Sequence, residues 1–389
     1  MTDVHLIDPP LGPAWYPFGD CRPIAELRAG AWLIRERWEA VSGGETKSIA
    51  AAPHLRDFAE EGTPAVTPPG PIPGPAVVGR SDFAPSGEPM PLPDAPARLV
   101  NDGETVGWCV PAGATWTANA AYPDEVPIDG MLLHGAFDLL TALEHLLVAD
   151  AADFTHERGD EIPDASVVIG DPADVVLLGA LVEPGVTFDV REGAVVVEQH
   201  AYVKGGTRFE GPVYVGPGTL VQGGLIRHCS IGPRCKVRGE MQSTVLLGYG
   251  NKVHDGFLGH SVVGRWVNLG AGTTTSNLKN TYGSVRLSVA GERLETGRQF
   301  LGTLFGDYAK TAIGTLLDTG TVVGTGANVF GAVRPPKYVP PFAWGQDGAR
   351  VERDGFLTVV SRTLPRRNVD VTDAVRASLA AIYDHAVAR

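Results

Sequence analysis

A repeat governs the second half of this chain. From about Ile162 onward, aliphatic-glycine pairs recur at Ile169-Gly170, Leu178-Gly179, Val215-Gly216, Ile231-Gly232, Leu247-Gly248, Leu258-Gly259, Val263-Gly264, Leu269-Gly270, Leu301-Gly302, Ile313-Gly314 and Val323-Gly324. The step is six residues where it is cleanest, as from Ile231 to Val237, Val263 to Leu269 and Val323 to Val329. An aliphatic residue fixed in a hexapeptide repeat is the signature of a parallel β-helix, in which each six residues form one short strand and a corner. No coil can bury its aliphatic residue alone, but stacked coils share a continuous column. A sandwich of alternating strands would show period two with turns every 8–12 residues, which fits poorly where the six-step holds.

The period breaks between Leu269-Gly270 and Leu301-Gly302. The insert Gly272 to Phe300 reads as a hairpin or long loop leaving the prism, polar enough for binding. Around the solenoid the texture changes. Apolar residues at Ile24, Leu27, Ala31, Ile34 and Trp38 predict a helix over Ile24 to Ala40, and Met131 to Ala149 reads as a second. Gly62 to Pro96 holds eleven prolines, which predicts a linker or extended loop. The run Pro335 to Pro341 ends the prism, and Val371 to Ala388 forms a terminal helix that covers its open end. The expected organisation is therefore an α/β domain at 1–155 with a Pro-rich loop at 62–96, a left-handed parallel β-helix at 160–334, and a Pro-rich segment with a C-terminal helix at 335–389.

Charge and composition exclude several classes. With 32 Lys and Arg against 45 Asp and Glu, the chain of 389 residues carries a net charge of −13, unsuited to wrapping nucleic acid or lying on an anionic membrane. No stretch approaches the ~20 uncharged apolar residues of a membrane span, and the first twenty residues lack the pattern of a signal peptide. Cys21, Cys109, Cys229 and Cys235 are too few and scattered for a disulfide framework. These features imply a cytoplasmic protein.

Polar residues concentrate at Gly248-Tyr249-Gly250-Asn251-Lys252-Val253-His254-Asp255-Gly256-Phe257-Leu258-Gly259-His260, which runs into Val267-Asn268-Leu269-Gly270-Ala271-Gly272-Thr273 and Asn277. This pattern resembles the acetyltransferase half of GlmU, the bifunctional glucosamine-1-phosphate N-acetyltransferase and UDP-N-acetylglucosamine pyrophosphorylase. With Thr296-Gly297-Arg298-Gln299-Phe300 and Gly302 to Thr311, it is most similar to a divergent GlmU-like branch, over about residues 160–345.

The resemblance implies a trimeric acyltransferase that acetylates an amino sugar phosphate, by default glucosamine 1-phosphate, from acetyl-CoA. It implies His254 as general base, a role that suits an imidazole, with His260 as its rival. Asn277 would orient the base and the acyl group. Asn268 would contact the amino sugar, and Ala271 would turn its backbone to the thioester. Lys310 and Thr311 would touch acetyl-CoA in the groove between neighbouring subunits. Two departures stand out. Glu240-Met241 is followed by Gln242 rather than a basic residue, which leaves the sugar phosphate to Arg238, Lys252 or Lys310. Phe257 replaces a sugar-contacting Tyr.

Asp20 to Gly30 and Ile34 to Glu39 resemble the start of the sugar nucleotidyltransferase domain of the same branch. That implies UTP and Mg²⁺ as partners, with Arg22, Arg28 and Arg37 near the nucleotide. The usual Gly-x-Gly is absent, and a domain kept only for packing is the competing expectation. Two other classes remain open: a non-catalytic trimeric scaffold, and a γ-carbonic-anhydrase-like zinc enzyme using His228, His254 and His260. No metal is assigned among the solenoid's own residues.

Overall fold

A computed structural model describes residues 2–87, 89–157 and 159–388. Its solenoid is a left-handed parallel β-helix with three strand-bearing faces. Among the described residues, one face has nine strands, from Val175–Leu177 to Tyr338–Val339, and the next has eight, from Leu181–Val182 to Asn328–Val329. The third has six, from Val167–Ile169 to Leu258–Gly259. Successive coils pair in parallel and in register, as in Val195↔Val213, Val215↔Ile231, Ile231↔Leu246 and Leu246↔Val263. The aliphatic members of the six-step fill the prism: Val197, Val215, Ile231, Val237, Leu246, Val263, Leu269 and Val329 form one buried column.

The nine-stranded face is apolar on both sides at most positions, Ser230, Thr303 and Thr321 excepted. Its triplets read Val175-Val176-Leu177, Val195-Val196-Val197 and Val213-Tyr214-Val215, without the alternation of a half-wet sheet. The first and third residues of each triplet are in the prism core, while Val176, Val196, Tyr214, Val245, Val262, Leu304 and Val322 face outward into a second core. That second core is the N-terminal domain, including helix α1 (Ile34–Ser42) and helix α2 (Asp138–Asp153).

The N-terminal domain is built on a seven-stranded mixed sheet, in the order Asp124–Pro127, Ala97–Asn101, Glu104–Val110, Ala76–Arg80, Asp3–Ile7, Glu45–Ala50, Ala65–Thr67. Its half from Ala76–Arg80 to Ala65–Thr67 is parallel. The fourth strand of this order lies within the Pro-rich segment, which corrects the expectation of a structureless linker. The prolines flank Ala76-Val77-Val78-Gly79-Arg80 instead of interrupting it, so its backbone is free to pair on both sides.

The helix expected at Ile24 to Ala40 begins only at Ile34. Before it, Arg28–Ala29 and Trp32–Leu33 form a tight hairpin, turned at Gly30 with φ +67° and pressed against Asp150. Asp150 also accepts the Ala31 N–H at 2.7 Å. The second helix starts at Asp138, since Gly130–Leu132 is taken as a strand beside Phe83–Pro85. The run Pro335 to Pro341 does not end the prism: Tyr338–Val339 adds a further strand beside Thr321–Val323. Beyond it lie two helices where one was expected, α3 (Arg353–Thr363) and α4 (Asp373–Ala388).

The insert carries a hairpin, Arg286–Val289 with Glu292–Glu295. Its Val285, Leu287 and Val289 are buried against the N-terminal domain, and Arg298 reaches Thr141 and Glu144 on α2. Much of the insert is therefore packing between the two domains.

A buried ion network also holds the domains together. The Arg22 guanidinium, fully buried, donates to Asp307 Oδ2 at 2.6 Å and to Glu60 Oε1 at 3.0 Å. Arg265 donates to Glu60 Oε2 at 2.8 Å, and its backbone N–H to Asp307 Oδ1 at 2.8 Å. Removing one partner of such a network leaves uncompensated buried charge, which costs about 3–5 kcal/mol. Arg22→Ala is expected to lower unfolding free energy by about that amount in denaturant titration. A loss below about 1 kcal/mol, the size of an exposed pair, would refute the interdomain role.

Candidate functional site

Each coil turns three corners, and the residues singled out in the sequence fall on two corners and one face. His254 lies at the corner between Asn251–Lys252 on the eight-stranded face and Leu258–Gly259 on the third face. His260 lies at the other end of Leu258–Gly259, where the chain passes to Val262–Val263 on the nine-stranded face. The two histidines thus flank the third face from opposite edges.

The His254 corner sits directly beneath the corner of the next coil. Gly272 N–H donates to Asp255 O at 3.0 Å, and Thr275 N–H to Phe257 O at 2.9 Å. The approach is so close that a Cβ on Gly256, whose φ is +131°, would run into Thr273 O. Ala271 therefore stands on the coil immediately above His254. The imidazole of His254 is exposed. Beside it Arg238 pairs with Asp255 at 3.2 Å, both half or more in solvent.

Lys252 anchors this corner from inside. Its side chain is buried, and Nζ donates to Arg238 O at 2.9 Å and to His254 O at 2.7 Å. Burial pushes its ammonium down to about 8, against the partial opposition of Asp255. Lys252 thus positions the His254 backbone and does not point outward to a substrate phosphate. Thr311 is likewise turned inward, where its hydroxyl bonds Thr273 Oγ1 at 2.7 Å, so it presents no side chain to a cofactor outside the prism.

At the opposite edge Asn277 meets His260 instead of His254. Asn277 Nδ2 stands 2.9 Å from His260 Nδ1, and Phe300 stacks on the ring at 5.1 Å. An amide NH₂ can only donate, so Nδ1 accepts and the ring proton sits on Nε2. His260 is 7% exposed. Burial, followed by the nearby charges of Arg298 and His228, pushes it down to about 4. It is a neutral hydrogen-bond donor at neutral pH. His228 occupies the same edge two coils below, bonded to Glu192 at 3.1 Å; the three histidines of the zinc reading do not converge within the chain.

Asn268 and Lys310 lie on the outer side of the eight-stranded face, paired in register. Asn251 Nδ2 donates to Asn268 Oδ1 at 2.7 Å. A cavity of about 350 Å³ opens there beneath α3.

The N-terminal domain has its own cavity, of about 640 Å³, at the carboxyl ends of Asp3–Ile7, Glu45–Ala50 and Ala65–Thr67. Open α/β sheets bind ligands at this position. Asp8, Asp20, His54, Arg56 and His385 of α4 line it, and His54 stacks on His385 at 3.6 Å. Arg22, Arg28 and Arg37, expected near a nucleotide, do not line it. Arg22 belongs to the interdomain network. Arg28 bonds Ala31 O and stacks over Tyr214 at 5.4 Å. Arg37 pairs with Asp150 and donates to Ala29 O at 2.8 Å. Sequence spacing missed Asp8, although it directly follows the first strand. Its Oδ2 accepts the Ile24 N–H at 3.0 Å and its Oδ1 is buried without a hydrogen bond of ordinary geometry; burial, partly opposed by Ile24, Ser81 and Ala25, pushes the carboxyl up to about 7. Oδ1 fits a ligand such as Mg²⁺, which is commonly held by one or two carboxylates plus substrate phosphates.

His260 makes a testable contribution to stability. The unfolded chain protonates this residue near pH 6.5, whereas the folded protein does so only near 4. Between these values the unfolded state holds more protons, so its stabilisation is complete above pH 6.5 and lost as pH falls towards 4. The difference amounts to roughly 3 kcal/mol. His260→Gln is expected to flatten the decline in Tm between pH 6.5 and 4. An unchanged slope would overturn the assignment.

Comparison with known proteins bears on both domains. A family model described as sugar nucleotidyl transferase matches residues 5–77, the segment that contains Asp8 and the strands ending at the N-terminal cavity. The chain is 33% identical over 156 residues to a bifunctional sugar-1-phosphate nucleotidylyltransferase/acetyltransferase of Sulfurisphaera tokodaii, a match covering 36% of this chain and 37% of that protein. It is 30% identical over 127 residues to the bifunctional protein GlmU of Methanococcus vannielii, covering 32% of this chain and 28% of that protein. The chain thus spans well under half the length of these relatives. Within that coverage the chain is similar to GlmU-like proteins, with a segment that matches sugar nucleotidyl transferases in a domain joined to a left-handed parallel β-helix.

Proposed function

We propose that the solenoid is an acetyl-CoA-dependent N-acetyltransferase acting on an amino sugar phosphate, glucosamine 1-phosphate by default, in the synthesis of a UDP-N-acetylglucosamine-type sugar nucleotide. What supports this reading is the His254 corner on a GlmU-like prism: an exposed imidazole, clamped through its backbone by a buried lysine, one coil below Ala271. The amine nitrogen attacks the thioester carbonyl carbon and passes its proton to His254. The carbon–sulfur bond then breaks, and coenzyme A leaves as a thiol on taking up a proton. The Ala271 N–H is the donor for the developing oxyanion. No covalent enzyme intermediate is required.

His254 is a better base than His260. Its ring is exposed, whereas His260 Nδ1 is engaged by Asn277 and its Nε2 already carries a proton. Asn277 belongs to the far edge of the third face, out of the reach of its own chain's His254. In a homotrimer of the family's kind, with acetyl-CoA in the groove between neighbours, the two edges of that face lie on either side of the groove. The nine-stranded face is closed to a partner because the N-terminal domain covers it.

The N-terminal domain is proposed to be a uridylyltransferase, with UTP in the cavity at the carboxyl ends of its parallel strands. Mg²⁺ held at Asp8 would neutralise charge on the nucleotide phosphates. A cytoplasmic location accords with both activities; among the described residues no helix is long and apolar enough to cross a membrane.

Mass-spectrometric product analysis with glucosamine 1-phosphate, acetyl-CoA, UTP and Mg²⁺ tests these assignments. Wild type is expected to form N-acetylglucosamine 1-phosphate and UDP-N-acetylglucosamine. His254→Ala should slow acetylation about 10²- to 10⁴-fold, the range of a lost general base, whereas His260→Gln should retain it. Undiminished product from His254→Ala overturns His254 as base. No acetylated product from wild type overturns the acceptor, and acetylation without nucleotidyl transfer overturns the uridylyltransferase.

A further inference from the structure

The cavity under α3 reverses the charge of the molecule around it. The chain carries a net −13, yet this cavity is lined by Lys236 and Lys310 from the eight-stranded face and by Arg362, Arg366 and Arg367 from the end of α3 and the turn after it. No carboxylate lines it, and among the described residues none of the five forms an ion pair. Arg367 and Lys310 donate only to backbone carbonyls, of Arg234 at 3.1 Å, Arg366 at 3.4 Å and Tyr308 at 3.0 Å.

Five cations held together without a counterion repel one another and favour an anion that neutralises several of them. The cost is visible in Lys236, whose ammonium is pushed down by burial and then by Arg367 and Arg366. Lys310 is pushed down to about 8 by burial. Neutral donors complete the lining. Asn268 has its carbonyl oxygen engaged by Asn251, so its NH₂ remains to donate. Three arginines, whose guanidinium forks match the oxygens of a phosphate, share the lining with two lysines and an amide.

We infer that this cavity is a receptor for a phosphate monoester, assembled between the prism face and the C-terminal arginines. It supplies the cations that Gln242 does not. Its volume of about 350 Å³ falls at the lower end of small-ligand sites. His254 is three residues from the cavity-lining Asn251, within about 11 Å along an extended chain. A dianionic phosphate here would tether its ligand next to the proposed acylation corner. Two ligands carry that group: the amino sugar phosphate and the 3′-phosphate of coenzyme A.

Calorimetric titration of the intact protein separates these sources without requiring turnover. Glucosamine 1-phosphate is compared with glucosamine, and coenzyme A with dephospho-coenzyme A. The proteins are wild type, the Arg362→Glu/Arg366→Glu double variant, Lys236→Gln, and Arg293→Glu on the remote hairpin as a charge control. Arg362 and Arg366 are exposed and, among the described residues, make no side-chain hydrogen bond or ion pair, so the fold should survive, as a melting curve would verify.

At least tenfold weaker binding of glucosamine 1-phosphate in the double variant and Lys236→Gln, but not in Arg293→Glu, supports the cavity as the acceptor's phosphate site. A preference for coenzyme A over dephospho-coenzyme A that disappears in the same variants supports the second source. Unchanged binding of both ligands in both cavity variants, or no binding of either ligand to wild type, overturns the proposal. Wild type that binds glucosamine 1-phosphate through the cavity but does not acetylate it defeats the acetyltransferase reading alone.

Discussion

The fold depends on one sheet that is buried twice. Its valine-rich strands fill the prism on one side and form the floor of the N-terminal domain on the other. Complete burial of each such side chain is worth about 1.5–3 kcal/mol, and the outward valines would forfeit this without α2 and the insert hairpin above them. The constraint also sorts the remaining surface. One face of the prism serves architecture, so chemistry is left to the other two and to the corners between them. His254 and His260 mark the two edges of the third face, and the cationic cavity occupies the eight-stranded face.

The solenoid was legible because its period is imposed by covalent geometry: a coil must return to the same corner, so the aliphatic residue must recur. The doubly buried sheet could also have been read. Val195-Val196-Val197 is apolar where Lys236-Val237 and Asn268-Leu269 place a polar residue outside. The same comparison reveals a missed signal at Lys252 and Thr311. Each occupies the inward position held by Val237, Leu269 and Val329 in neighbouring coils, so both side chains were bound to point inside whatever their chemistry suggested.

Other features were hidden because they depend on distant partners. The hairpin before α1 is fixed by Asp150, 119 residues from Ala31, and local periodicity carries no trace of it. Arg22 has the residue type of a phosphate ligand, but its partner Asp307 is 285 positions away. The resemblance to a nucleotidyltransferase located the domain, while Arg22, Arg28 and Arg37 are turned to contacts within the chain. At the solenoid, the motif brought His254, His260 and Asn277 to attention together. The distinction between the imidazoles, one exposed and one capped by an amide, needed three dimensions because it turns on which edge of a face each residue occupies.

Segments far apart in the sequence meet at the N-terminal cavity. Asp8 follows the first strand, and His385, close to the end of α4, closes over the same space against His54. The cavity wall therefore joins residues that stand on either side of the whole solenoid in the sequence.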